Sequence, residues 1–97
     1  MYGGGMNAAL QITLIGRQGC HLCEDAQNVL AGVIARFASE NPLVEYVIED
    51  IDVDSDLELR DKYSDEVPVL LVNGQQIAFL RFDGERISEK LGEYAKH

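Results

Sequence analysis

The chain has 97 residues, 46% of them hydrophobic, with 17 acidic side chains against 8 basic ones and a formal net charge of -9. That length supplies one small domain with a single core, and so acidic a surface argues against nucleic acid and anionic lipid as partners. No apolar run approaches the ~20 residues that a membrane span needs.

The opening stretch, Met1 to Met6, contains three glycines. It has neither the basic patch nor the apolar segment of a secretory signal. Residues 1–10 are expected to form a flexible N-terminal extension and residues 11–97 the folded domain. Gln11 to Ile15 reads as a short buried strand of β-branched and aliphatic residues. Gly16 to Gly19 then makes a loop. From Leu22 the apolar residues Ala26, Val29, Leu30, Val33, Ile34 and Phe37 keep to one helical face. Glu24 and Asp25 suit its first turn, and Pro42 stops it, because the residue before a proline is pushed out of the helical region.

Leu43 to Ile51 reads as a second strand and residues 56–63 as a short helix. Val67 to Val72 is a third strand and contains Pro68. Asn73-Gly74 is a hairpin turn, because both residues tolerate positive φ, and Gln76 to Phe82 returns as a fourth strand. Glu85 to Lys96 closes the chain as a helix with Ile87, Leu91, Tyr94 and Ala95 on one face. Phe37, Phe79 and Phe82 fall at core spacing. The order β-α-β-α-β-β-α predicts a parallel first pair with a right-handed crossover, an antiparallel closing hairpin, and helices on both faces of the sheet.

Both cysteines of the chain, Cys20 and Cys23, stand two residues apart between the first strand and the long helix. At helical spacing they lie about 5 Å apart, near the separation a disulfide requires. A bridge across so short a loop removes little entropy from the unfolded chain, so its use is chemical rather than structural. Cys20, at the helix N-terminus, has free N–H groups and the helix dipole to stabilise a thiolate, which predicts a pKa below that of free cysteine. Cys23 lies a turn further in. Cys20 is therefore expected to attack and Cys23 to resolve the mixed disulfide. Arg17 and a protonated His21 would favour the thiolate, while Glu24 and Asp25 oppose it. Without an export signal, a reducing cytoplasmic setting is expected, where paired cysteines are catalytic, redox-sensing or metal-bound. A zinc site needs about four ligands, and only His21 and His97 accompany the pair, so no metal site is assigned. Passive core cysteines and half of a metal site stay open as alternatives.

With Cys20-His21-Leu22-Cys23 after the first strand, Val67-Pro68 opening the third, and Asn73-Gly74 ahead of a last helix, the chain resembles the thioredoxin superfamily. It is most similar to the small bacterial glutaredoxin-like branch. The resemblance implies a thioredoxin-like α/β fold, a four-stranded mixed sheet in the order 2-1-3-4 flanked by three helices. It also implies a cis peptide before Pro68, which packs beside the disulfide, and a Val67 backbone offered to substrate. The activity implied is that of a thiol–disulfide oxidoreductase or electron carrier, acting as a monomer on a disulfide-containing protein or a low-molecular-weight thiol and recycled by a reductase. No cofactor is implied, with glutathione a co-substrate that Arg17 could help to hold. The chain departs from the better-known members in having no tryptophan ahead of the pair and no Gly-Gly turn after the last strand, where Phe82-Asp83-Gly84-Glu85 stands. Glu66, next to Val67, would further repel glutathione's carboxylates. Two rivals remain: a redox-sensing or protein-binding module without turnover, and a metal- or iron–sulfur-binding dimer using Cys20 from each chain.

Ten of the 17 acidic residues lie between Glu45 and Glu66. Asp50, Asp52, Asp54, Asp56, Glu58 and Asp61 fit the oxygen positions of a calcium loop, but Ser55 stands where that loop needs glycine. The run is read as a solvated strand end and helix start, or as a docking patch for a basic partner.

Overall fold

The computed structural model describes residues 9–95. Residues 1–8 of the expected extension, together with Lys96 and His97, lie outside the described residues. β1 (Leu10–Gly16) buries Leu10, Ile12 and Leu14 on one face and Ile15 on the other. Such a near-continuous apolar run belongs to a strand covered on both sides. α1 (His21–Glu40) follows, with Cys23, Ala26, Leu30, Val33, Ile34 and Phe37 forming its buried stripe. It ends at Asn41, whose backbone N–H and side-chain Nδ2 both donate to the Phe37 carbonyl, at 2.8 and 3.1 Å.

β2 (Tyr46–Asp52) leads through a single 3₁₀ turn, Val53–Ser55, into α2 (Leu57–Tyr63). The hairpin of β3 (Val69–Val72) and β4 (Gln75–Phe79) and the last helix, α3 (Gly84–Ala95), complete the chain. The sheet runs β2-β1-β3-β4, with β2 parallel to β1 and the other neighbours antiparallel. This is the expected mixed sheet in the order 2-1-3-4 with three helices. Asn73 and Gly74 have φ of 53° and 82°, the left-handed pair that a tight hairpin turn demands.

Strand ends are where the expectations needed correction. β2 starts at Tyr46, not Leu43: after the helix cap the chain makes a turn, with Val44 N–H on the Asn41 carbonyl, and Leu43 is left 95% exposed. β3 starts at Val69, because Pro68 has no N–H for a ladder. β4 stops at Phe79, three residues short of Phe82. There Leu80 takes a φ of 62°, and its N–H turns to the carbonyls of Pro68 (2.8 Å) and Glu66 (3.2 Å). Phe79, expected in the core, is instead 49% exposed on the edge strand. Phe82 packs, half-buried, against the main core.

The strands' period of two divides the interior. Leu70 and Val72 of β3 join Leu10, Ile12 and Leu14 beneath α1 and α3, where Ile87 and Leu91 point inward. Asp83 holds the start of α3, its Oδ1 accepting from the N–H groups of Glu85 and Arg86. On the opposite face Ile15, Val69 and Val67 pack with Val53 of the 3₁₀ turn and Tyr63 of α2. Cys23 belongs to this second layer.

Candidate active site

β1 delivers the chain to a short loop, Arg17 to Gly19, in which Gly19 takes a φ of 74° that residues with a Cβ rarely adopt. The next residue, Cys20, is extended at φ -103°, ψ 118° and caps α1. Its Sγ accepts the N–H of Cys23 at 3.2 Å. The role usually taken by a serine or aspartate oxygen at a helix start thus falls to sulfur, placing it where N–H groups and the helix dipole favour negative charge.

The two thiols are unlike. Both are free, Cys20 half-buried and Cys23 buried at 5% exposure. Burial pushes the Cys23 thiol up to about 11, with hydrogen bonding to Cys20 adding to the rise. Opposing it is the Arg17 N–H, which donates to Cys23 Sγ at 3.4 Å. Cys20, Cys23 and Val67 share one apolar cluster. The Val67–Pro68 peptide is cis, and Pro68 is fully buried. Among the described residues Val67 makes no backbone hydrogen bond, which leaves its peptide groups free beside the pair.

Arg17 lies beside the cysteines, but its guanidinium is engaged elsewhere. Nε and Nη2 grip the two oxygens of Asp54 at 2.9 and 3.1 Å, and Nη2 also reaches Ser64 Oγ at 3.1 Å. Arg60 Nε adds a second cation on Asp54 Oδ1 at 3.2 Å. Arg17 holds the Asp54 carboxyl below the usual carboxylate range and is itself raised by it. His21 is the first residue of α1 and is exposed. Sequence reasoning placed Asp54 only in the calcium-loop run and missed Ser64 and Arg60. The signal available was Arg17 itself, a lone cation beside the pair in a chain rich in carboxylates.

A cleft of about 440 Å³ opens at the pair, lined by Gly16, Arg17, Cys20, Glu24, Asp50 and Asp52 among others. The β1–β2 register, with Leu14 opposite Asp50 and Gly16 opposite Asp52, brings those two acidic residues into its lining. Two acids of the former calcium-loop candidate also hold local turns of the backbone. Asp52 Oδ1 accepts the Asp54 N–H, and Asp56 caps α2 through the N–H groups of Glu58 and Leu59.

Residues 11–92 match the family model described as Glutaredoxin-like domain (DUF836). No curated protein matches the chain. Among solved structures, protein XcR50 from X. campestris is 29% identical with a TM-score of 0.67, the match covering 84% of this chain and 96% of that one. Ne2328 from Nitrosomonas europaea is 24% identical at a TM-score of 0.62, with 86% and 92% covered. A thioredoxin from Halobacterium salinarum shares the fold at 18% identity and a TM-score of 0.61, covering 89% of this chain and 74% of its own. No helix among the described residues is long and apolar enough to cross a membrane. With the fold, the cysteine pair and the family match in agreement, the chain belongs to the glutaredoxin-like family of the thioredoxin superfamily, and a thiol redox role goes with it.

Proposed function

We propose that the protein is a thiol–disulfide oxidoreductase, or electron carrier, in which Cys20 attacks a disulfide and Cys23 resolves it. The observation that carries this reading is the asymmetry of the pair: one sulfur half-buried at a helix cap, the other buried with a raised pKa. In the first step the Cys20 thiolate bonds to one sulfur of the substrate and the other leaves as a thiolate. In the second, Cys23 loses its proton and attacks Cys20 Sγ, releasing the second substrate thiolate and leaving a Cys20–Cys23 disulfide. Two electrons pass from the protein to the substrate, and a reductase returns them.

The free peptide groups of Val67, beside buried Pro68, suit an extended substrate segment pairing main chain to main chain. Glu24, Asp50 and Asp52 line the cleft and Arg17 is tied to Asp54. Glutathione would therefore meet carboxylates with its own and is a poor co-substrate. A disulfide on a protein with neutral or basic flanks is the better partner. A reducing compartment such as the cytoplasm suits the cycle, because it keeps the pair rechargeable.

The test is reduction of insulin by dithiothreitol, beside reduction of hydroxyethyl disulfide by glutathione. The protein should accelerate the first well above the second, and Cys20→Ser should abolish both. Inactivity in both assays, despite rapid closure of the Cys20–Cys23 bridge, would overturn the turnover reading.

A further inference from the structure

Cys23 has to act as a nucleophile from inside an apolar layer. The titratable or charged groups around it are Cys20 and Arg17, Tyr63 across the same cluster, and Glu24, Asp50 and Asp52 in the lining of the shared cleft. Among the described residues, the polar contact that favours its thiolate at close range is the Arg17 backbone N–H. That N–H sits in the loop between β1 and α1, and the Arg17 side chain ties this loop to two oxygens of Asp54 and to Ser64. A two-point guanidinium–carboxylate fork fixes orientation as well as distance. Asp54 is well anchored in turn: its own N–H is bound to Asp52, and the preceding residue, Val53, is fully buried. Arg17 and Asp54 are each 37% exposed at the side chain, so solvent screens their attraction, and the contact serves geometry more than Coulomb energy.

We propose that Asp54 is a positioning residue for the resolving step: by clamping Arg17 it keeps the Arg17 N–H on Cys23 Sγ and readies that sulfur to displace substrate from Cys20. This inference rests on the exchange reaction proposed above and assigns control of its second half to a residue outside the cysteine motif.

A chromogenic aromatic disulfide, which releases one coloured thiolate when Cys20 attacks and a second when Cys23 closes the bridge, separates the two halves in time. Loss of the N–H contact should raise the Cys23 thiolate midpoint by about one pH unit. That thins the thiolate about tenfold, while the gain in basicity returns about threefold in nucleophilicity. Asp54→Ala should therefore slow the second phase about threefold at neutral pH and leave the first unchanged. Arg17→Lys, a point charge without the fork, should do the same, and Asp54→Glu should recover part of the rate. Arg60→Ala, which removes the other cation on Asp54 but not the clamp, should leave both phases alone. An unmoved second phase, an equal slowing of both phases, or an Arg60→Ala variant as slow as Asp54→Ala would overturn the role of Asp54. Absence of the first phase in the parent protein would instead defeat the exchange reading itself, and this inference with it.

Discussion

The two faces of the sheet are closed by different means. Beneath α1 and α3 eleven buried residues, all apolar, form one continuous core from Leu10 to Leu91. On the other face six buried residues lie under one 3₁₀ turn and a seven-residue helix. The rim of that smaller layer is polar, with Arg17, Asp54, Ser64 and Arg60 joined across it. Burial scales with stabilisation, so the larger face carries most of the folding free energy. The thinner face holds Cys23, where a reacting sulfur is shielded by few side chains and can be tuned by a neighbouring loop. The division separates what keeps the chain folded from what makes it reactive.

The hardest way to break that division is through the larger face. Leu91 is fully buried between α3 and the sheet, and truncating such a leucine to alanine costs about 2–5 kcal/mol. Small domains have only about 5–15 kcal/mol in all. Leu91→Ala should therefore lower the urea midpoint severely while leaving alkylation of Cys23 in the folded fraction unchanged. Val53→Ala on the thinner face should cost less stability and act on Cys23 instead. It removes two carbons' worth of packing, about 2 kcal/mol with the cavity included, and should speed alkylation of Cys23 by a small reagent. Equal labelling rates in the two variants, both measured where they are folded, would show that the faces are not independent.

The same division governs how much could be read from the sequence. The larger face was legible because its signals are periodic: the stripe from Ala26 to Phe37 and the pair Ile87 and Leu91 fix which sides of α1 and α3 turn inward. The cysteine pair was legible because its spacing and its place before a helix are themselves chemical statements. Leu80 was not legible. A left-handed leucine is set by the pull of the Pro68 and Glu66 carbonyls on its N–H, a tertiary effect that no propensity encodes, and it ends the strand at Phe79, which is exposed on the edge despite its core spacing in the sequence. Asp54 was hidden in an alternating run of acids that looks uniformly solvated. Only the fold brings Arg17 across 37 residues to single it out.

The gentlest test uses the sulfur of the thinner face as its own reporter. Cys23 goes from an ordinary value of 9.0 to about 11 in the folded protein, so folding favours its protonated form. Between these values the unfolded chain has released the proton and the folded protein has not. The contribution to stability is therefore complete below pH 9 and is lost as the pH rises through 11. By pH 10 the loss should be roughly 1 kcal/mol, read as the difference between the reduced protein and Cys23→Ala in urea unfolding, so that lysines and tyrosines cancel. Closing the Cys20–Cys23 bridge removes the titrating thiol in both states. The oxidised protein should then lose this contribution to the alkaline slope, whereas Leu91→Ala, weakened on the other face, should keep it in full.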